Sequence, residues 1–253
     1  MLDGKSIAVV VPAYNESLLL KKTISSIPDY VDYICIVNDA STDETAKVIE
    51  QMHHPKINLI SHGQNQGVGA AIISGYRRCM QLQADVIAVM AGDAQMDPHD
   101  LHAIVSPVVS DLADYCKGDR LSWKGVFKVM PLLRFFGNHA LSLLTRITSG
   151  YLEVRDSQCG YTAISRHALT RLRLERIYAR YGFPNDILAH LFTINARLSQ
   201  VTVRPIYATE KSGISLYTAF IRVPLVLLRS YVFRLKHRPA KVKSLSPTSI
   251  ERA

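Results

Sequence analysis

The feature that most constrains the fold is an alternation of short apolar runs and amphipathic stretches through the first 110 residues. Four runs are nearly continuous and rich in Val and Ile: residues 7–11, 33–37, 57–60 and 86–90. Continuous runs of this length are typical of parallel strands that are covered on both faces. The stretches between them have helical spacing. The sequence therefore predicts an α/β domain with a mostly parallel, Rossmann-like sheet flanked by helices.

Two local patterns refine this prediction. Ser41, with Glu44 three residues later, has the spacing of a capping box and predicts that the second helix begins just after Ser41. Gly67 and Gly69 follow the third strand rather than the first, and the third glycine of a dinucleotide-binding fingerprint is missing. We therefore interpret the two glycines as sites of close helix–sheet packing, and the pattern argues against a dehydrogenase.

The chain changes character after residue 110. Residues 1–110 hold 7 Lys/Arg against 12 Asp/Glu, a net charge of −5, whereas residues 111–253 hold 23 against 9, a net of +14. Residues 123–147 and 214–238 combine apolar with basic side chains, and charges interrupt both before the roughly 20 apolar residues of a membrane span are reached. Such stretches are typical of helices on an anionic membrane surface, although ordinary helices with basic outer faces remain an alternative.

The predicted organisation is an α/β domain over residues 1–212, an amphipathic membrane-interface segment over 213–238, and a disordered tail over 239–253. The four cysteines lie far apart without a CxxC pair, which indicates a reducing compartment. The N-terminus lacks the pattern of a signal peptide. We expect a cytoplasmic protein, peripheral at the cytoplasmic face of a membrane.

A nucleic-acid partner is not expected. The basic half carries no recognised motif for reading DNA or RNA, and its charge accompanies aliphatic bulk rather than exposed stacking aromatics. A non-catalytic basic nucleotide- or nucleic-acid-binding protein nevertheless remains an alternative of another class.

Three of the predicted strands end in polar clusters that carry acids: residues 12–16, 38–43 and 91–97. In an open parallel sheet, ligands bind beyond the carboxyl ends of the strands. A carboxylate there suits a divalent cation that neutralises a pyrophosphate, and an Asp can also accept hydrogen bonds from a base or a ribose. Any single Asp in these clusters is equally compatible with a cap or a turn.

Eight motifs carry a resemblance to a known family. Four are similar to those of family 2 glycosyltransferases with the GT-A fold: VVVPAYNE (9–16), VNDASTDET (37–45), NQGVGAAIISGY (65–76) and AGDAQMDP (91–98). Four later motifs resemble the polyprenyl-phosphate glycosyltransferase branch, typified by dolichyl-phosphate mannose synthase: KGDR (117–120), DSQCGYTAISR (156–166), GFPNDIL (182–188) and EKSGIS (210–215). The resemblance extends to about residue 238.

The resemblance implies an inverting glycosyltransferase that uses Mg²⁺ or Mn²⁺. Its donor would be a nucleotide-sugar of the GDP-mannose or UDP-glucose type, and its acceptor a polyprenyl or dolichyl phosphate at the membrane surface. Six residues would line the nucleoside pocket: Pro12, Ala13, Tyr14, Glu16, Val37 and Asp39.

The resemblance also implies roles for residues beyond the nucleoside pocket. Asp93 corresponds to the last Asp of the DxD motif and would bind the metal, and Gln95 would contact the donor diphosphate or sugar. Arg120 and Arg134 match two arginines that hold the acceptor phosphate.

Two departures from the family pattern concern donor binding. Ala91 replaces the first Asp of DxD, which leaves an inactive glycosyltransferase-like scaffold as an alternative. The arginine expected near the donor phosphate after the last strand is absent, and Lys211 is the nearest cation.

The role of Asp186 distinguishes a mechanism with a sugar-hydroxyl acceptor from one with a lipid-phosphate acceptor. Asp186 matches the Asp of the family's base motif, which a sugar-hydroxyl acceptor would require. Otherwise it would be the N-cap of the helix that follows. A lipid phosphate is already an anion and needs no base, and the two basic, apolar stretches favour that acceptor.

Overall fold

The computed structural model describes residues 1–206 and 221–237. The predicted boundary at residue 213, the tail 239–253 and Lys211 lie outside the described residues. Within these described residues, seven strands form one sheet: β1 Ile7–Ala13, β2 Tyr33–Asn38, β3 Ile57–Ser61, β4 Val86–Val89, β5 Tyr115–Asp119, β6 Thr162–Ser165 and β7 Leu198–Thr202.

The helices lie between and after these strands. In chain order they are α1 Leu20–Ser25, α2 Thr45–Glu50, α3 Val68–Gln81, α4 Leu101–Val109, α5 Val126–Val129, α6 Leu132–Ser149, α7 Arg166–Arg171, α8 Phe183–Thr193 and α9 Val223–Lys236. Short 3₁₀ turns cover Pro98–Asp100 and Leu174–Arg176.

The sheet confirms the predicted mostly parallel architecture. Its order is β3-β2-β1-β4-β6-β5-β7, and β6 runs antiparallel to its neighbours β4 and β5. All four apolar runs are strands, but the prediction that they are covered on both faces is wrong for β3, an edge strand whose Leu59 is 43% exposed. The parallel pairing of β1 with β2 and β4 brings the carboxyl ends of these strands to one edge, as the position of the acidic clusters requires.

The continuous apolar run of β1 packs on both faces of the sheet. Ala8 and Val10 belong to the core on the side of α3, whereas Ile7, Val9 and Val11 belong to the core on the side of α4. Successive side chains of a strand point to opposite faces, so a strand covered by helices on both sides needs apolar residues at every position.

The predicted start of the second helix is wrong. The helix begins at Thr45, and Ser41 makes no cap contact with it. Instead, the Ser41 hydroxyl accepts a hydrogen bond from the Asn15 N–H at 3.1 Å, and the Thr45 hydroxyl accepts one from the Glu16 N–H at 2.8 Å. The hydroxyls therefore hold the loop after β1, a long-range contact that the local spacing does not reveal.

The interpretation of Gly67 and Gly69 is also corrected. A Cβ at Gly69 would lie 2.7 Å from Ala179 C, and one at Gly67, where φ is +98°, would lie 2.7 Å from Arg180 Cγ. Both glycines thus approach the segment before α8 rather than the sheet. Gly75 is the glycine that packs on the sheet, because its Cβ would overlap Val10.

The two apolar, basic stretches contain α6 and α9, which pack against each other. The Arg234 guanidinium of α9 donates to the Ile147 carbonyl of α6 at 2.9 Å. Both helices expose apolar side chains: Leu132, Leu133, Phe136, Leu143, Leu144 and Ile147 on α6, and Leu225, Leu228, Val232 and Leu235 on α9. Within residues 1–206 and 221–237, no helix combines the length and apolar character needed to cross a membrane.

Candidate active site

A cleft of about 480 Å³ opens at the carboxyl edge of the sheet. Its walls come from the ends of β1, β2 and β4, the start of α3, the segment before α8 and the residue before α9. The lining residues are Pro12, Ala13, Tyr14, Glu16, Asp39, Asn65, Gly67, Val68, Ala71, Ala91, Gly92, Asp93, Tyr178, Arg180, Tyr181 and Arg222.

The cleft brings together most of the residues that the sequence predicted for donor binding. Five of the six nucleoside residues line it, and Asp93 lines it as well. Val37 does not reach it, because its side chain is fully buried in the core beside Ala8 and Val10.

Asp39 at the end of β2 shapes one wall of the cleft. Its carboxylate accepts hydrogen bonds from the N–H groups of Gln66 at 2.9 Å and Gly67 at 2.7 Å, and from His62 Nδ1 at 2.7 Å. Burial alone would raise the pKa of Asp39, but these hydrogen bonds outweigh it and hold the pKa below its usual value. Asp39 is therefore an anion that fixes the loop leading into α3.

Asp93 follows β4 and borders two cavities. It lines the main cleft and a smaller cavity of about 60 Å³, which Gln95 and Arg120 also line. Its Oδ1 accepts a hydrogen bond from the Gln95 N–H at 3.0 Å. This hydrogen bond holds the carboxylate at the junction between the cleft and the smaller cavity.

The site fits a metal ion that is completed by the substrate rather than one held by the protein alone. No group of three or more His, Cys, Asp or Glu side chains able to hold a metal occurs among the described residues. Asp93 contributes a single carboxylate to a cleft with room for a diphosphate. Mg²⁺ typically takes one or two protein carboxylates and several phosphate or water oxygens, so this arrangement suits it.

Arg120 is held by a buried carboxylate. Its Nε donates to Asp156 Oδ2 at 2.7 Å and its Nη2 to Asp156 Oδ1 at 3.0 Å. Burial would raise the pKa of Asp156, but the Arg120 charge and hydrogen bonds hold it low. Arg120 therefore uses two of its five N–H groups, on Nε and Nη2, to bind Asp156. Fewer of its N–H groups can contact a phosphate.

Strand β5, which ends one residue before Arg120, carries two buried charged side chains, Lys117 and Asp119. Lys117 is fully buried and donates to the Cys159 carbonyl, and burial lowers the pKa of its ammonium group. Asp119 lies 3.1 Å from Arg155 Nε as an ion pair. These contacts fix the end of β5 beside the smaller cavity.

Arg134 lies on α6 and lines neither the cleft nor the smaller cavity. Burial raises the pKa of Tyr181, and the charges of Arg134 and Arg120 act in the opposite direction. Both arginines are therefore within electrostatic range of a residue that lines the cleft.

Asp186 is not a helix cap, so that alternative is wrong. Gly182 occupies the N-cap position of α8, and Asp186 is fully buried one turn inside the helix. Its carboxylate accepts hydrogen bonds from the Tyr178 N–H and the Ser230 hydroxyl, both at 2.7 Å.

Two further groups contact the Asp186 carboxylate. Arg229 Nη1 and His190 Nε2 lie 3.4 and 3.5 Å from its Oδ2. Burial would raise the pKa of Asp186, but its hydrogen bonds and these two partners lower it.

Four lining residues lie outside all eight motifs of the sequence analysis: Tyr178, Arg180, Tyr181 and Arg222. The Arg180 guanidinium donates to the Asn65 carbonyl at 3.2 Å. Two signals in the sequence pointed to them. The paired glycines at 67 and 69 require a close backbone neighbour, which is this segment, and Arg222 interrupts an otherwise apolar stretch.

Comparisons with known proteins agree with this geometry. The family model described as "Glycosyl transferase family 2" matches residues 8–173. UDP-N-acetylglucosamine–dolichyl-phosphate N-acetylglucosaminyltransferase of Methanococcus voltae is 31% identical over 226 residues, covering 83% of this chain and 89% of the relative. Undecaprenyl-phosphate mannosyltransferase of Micrococcus luteus is 27% identical over 202 residues, covering 78% and 82%.

A solved structure shares the fold. The crystal structure of glucosyl-3-phosphoglycerate synthase from Mycobacterium tuberculosis, in complex with Mn²⁺, uridine diphosphate and glucosyl-3-phosphoglycerate, superposes with a TM-score of 0.70. The two are 21% identical, and the match covers 90% of this chain and 81% of that chain. At this identity the likeness is one of fold.

Proposed function

Because the chain belongs to glycosyl transferase family 2 and is a glycosyltransferase with a GT-A fold, we propose that it moves a sugar from a nucleotide-sugar to a polyprenyl or dolichyl phosphate. The reaction takes place at the cytoplasmic face of a membrane, where the enzyme is peripheral. The observation that carries this proposal is the cleft in which five nucleoside residues lie together with Asp93. Family membership favours an enzyme over the non-catalytic alternatives.

The donor binds in the main cleft. Pro12, Ala13, Tyr14 and Glu16 contact the nucleoside, and Asp39 supports this pocket by fixing the loop at Gln66 and Gly67. The two relatives are named for N-acetylglucosamine and mannose, so the proposal commits to a nucleotide-sugar and not to one hexose.

Asp93 holds Mg²⁺ or Mn²⁺ together with the donor phosphates, and Gln95 adds a polar contact beside it. When bound, the metal stabilises the charge that develops on the departing nucleoside diphosphate. The solved neighbour contains Mn²⁺ with uridine diphosphate, which supports the same pairing here.

The acceptor is an anionic lipid phosphate. A phosphate oxygen attacks the anomeric carbon in line, the bond from that carbon to the donor diphosphate breaks, and the diphosphate leaves with the electron pair, which inverts the configuration. Arg134 and Arg120 orient the acceptor through their charge and their guanidinium N–H groups. The contacts that surround the Asp186 carboxylate support this route over a sugar-hydroxyl acceptor, because a general base must reach the acceptor proton.

The membrane role rests on α6 and α9. Both expose apolar side chains, and the half of the chain that contains them carries a net charge of +14. Apolar side chains enter the lipid boundary while Lys and Arg side chains contact anionic headgroups, which suits an anionic membrane.

We expect the double variant Leu133→Ser/Phe136→Ser to bind anionic vesicles at least about tenfold more weakly. Burying one such side chain in lipid contributes about 1.5–3 kcal/mol, and these two are 87% and 64% exposed. Vesicle co-sedimentation measures the change. Leu18→Ser is the control, because Leu18 is 91% exposed and lies outside α6 and α9. Wild-type binding by the double variant would contradict the assignment of this surface.

The test of the function is a screen of labelled nucleotide-sugars with a short-chain polyprenyl phosphate. The expected product is the lipid-linked sugar phosphate from one class of nucleotide donor, formed in the presence of Mg²⁺ or Mn²⁺. Absence of that product across UDP- and GDP-sugars, with hydrolysis or glycoside formation instead, would overturn the proposal.

A further inference from the structure

Helix α9 presents one face to the wall of the donor cleft. Val226 packs on Gly182, where a Cβ would lie 3.2 Å from Val226 Cγ1. One turn later, Arg229 contacts Asp186 and lies over the Tyr178 ring, with its guanidinium carbon 5.8 Å from the ring centre. Ser230 is fully buried on the same face.

Arg222 belongs to this face and lines the cleft. It precedes the first residue of α9 and lies four residues before Val226, so the helical repeat places the two on the same side. Leu225, Leu228 and Val232 follow the complementary spacing and are exposed. The contacts on one face thus hold the helix against the cleft, while its apolar side chains remain accessible.

Asp186 joins this helix to the cleft wall. One oxygen accepts the Ser230 hydroxyl and the other accepts the Tyr178 N–H, each at 2.7 Å. Tyr178 and Tyr181 line the cleft, so a single buried carboxylate fixes both the wall and the helix that carries Arg222.

We propose that Arg222 binds the diphosphate of the donor, and that Ser230 and Asp186 are positioning residues that hold α9 so that Arg222 reaches the cleft. The proposal rests on the nucleotide-sugar donor of the proposed function. The described lining of the cleft contains three acids, Glu16, Asp39 and Asp93, against two cations, Arg180 and Arg222. A diphosphate entering this site requires positive charge, and a guanidinium matches phosphate geometry.

The test compares a nucleoside diphosphate with its parent nucleoside. Calorimetry with uridine and guanosine diphosphate identifies the nucleotide that the wild type binds. Arg222→Gln is expected to lower the affinity for that diphosphate by about tenfold, the loss of one charge-assisted contact. Affinity for the nucleoside alone, followed by ligand-detected NMR, is expected to stay unchanged. Arg77→Gln, an exposed arginine of α3 outside the cleft, is the control for charge.

The positioning role is tested by a double-mutant cycle. Ser230→Ala alone is expected to lower diphosphate affinity by about threefold, as one lost hydrogen bond would. In the Arg222→Gln background it is expected to have no further effect, because the residue that it positions is gone. A merely structural role would make the two effects additive and would weaken nucleoside binding as well.

Unchanged diphosphate affinity in Arg222→Gln, in a protein that still transfers sugar to polyprenyl phosphate, would overturn this inference and leave the proposed function standing. Additive effects in the cycle would overturn the positioning role. A wild type that binds neither diphosphate would overturn the proposed function and this inference together.

Discussion

Asp93→Asn is expected to lower the rate of sugar transfer by about 100-fold or more while leaving the fold intact. Asp93 is the carboxylate at the junction of the two cavities, and an amide there is a much weaker ligand for Mg²⁺ or Mn²⁺. Loss of one preorganised electrostatic contact to a leaving group costs about 10²–10³ in rate. The side chain lies on a loop at the surface of the cleft, so thermal unfolding is expected to change little. Transfer rates at saturating donor and metal measure the effect.

Asp97→Asn is the matched control, because it makes the same chemical change four residues later in the same loop. The Asp97 carboxylate caps the turn at Pro98–Asp100 by accepting from the His99 N–H at 3.0 Å. Its replacement is expected to cost about 1 kcal/mol of stability and little activity. Full wild-type activity in excess chelator would contradict the role of Asp93 as a metal ligand.

Asp186→Asn is expected to destabilise the protein by about 3 kcal/mol and to retain most of the kcat when the protein is folded and donor is saturating. Removing one charge from a buried ion pair typically costs about 3–5 kcal/mol, and an Asn that keeps one hydrogen bond falls at the low end. Asp186 contacts Arg229, His190, Ser230 and Tyr178, so its carboxylate joins α8, α9 and the cleft wall. Denaturant unfolding measures the stability, and steady-state kinetics below the unfolding transition measure kcat.

The same contact predicts a pH dependence of stability. The pKa of Asp186 is lower in the folded protein than its usual value near 3.9. The stabilisation is therefore fully present above about pH 4 and is lost as the pH falls through the lower folded pKa. The free energy of unfolding of the wild type is expected to fall more steeply below about pH 4 than that of Asp186→Asn.

Asp114→Asn is the control for a weakened ion pair elsewhere. Asp114 pairs with Arg197 at 3.1 Å beyond the opposite end of the sheet and lines no part of the cleft. The Asp114→Asn variant is expected to be less stable than the wild type, with an unchanged KM for the donor. An Asp186→Asn variant with wild-type stability and no transfer activity would identify Asp186 as a general base and would favour a sugar-hydroxyl acceptor.

The sheet was predictable because each of its first four strands is specified locally. Short continuous apolar runs favour strands, and parallel pairing then brings residues 12–16, 38–43 and 91–97 to one edge. The position of Asp39 and Asp93 in one cleft follows from that geometry. Val37 was expected in the nucleoside pocket, but its side chain lies in the core. A motif match does not reveal which face of a strand a side chain occupies.

The features that escaped prediction depend on contacts between distant parts of the chain. Ser41 has the spacing of a helix cap, yet its hydroxyl accepts a hydrogen bond from the N–H of Asn15, 26 residues earlier. Asp186 has the spacing of a cap or a base, yet its partner Ser230 lies 44 residues later on α9. Arg222 was visible only as a charge within an apolar stretch, and its place in the cleft depends on how α9 packs against α8.

The most direct test of the lipid-phosphate acceptor compares two acceptors that differ only in the phosphate. Purified enzyme is given one labelled nucleotide-sugar that it uses, with either a short-chain polyprenyl phosphate or the polyprenol of the same length. We expect transfer to the phosphate and none to the alcohol, because an anionic phosphate oxygen is already a nucleophile, whereas the alcohol would need a general base. Equal transfer to the polyprenol, or transfer to a glycoside hydroxyl in preference to the lipid phosphate, would contradict it.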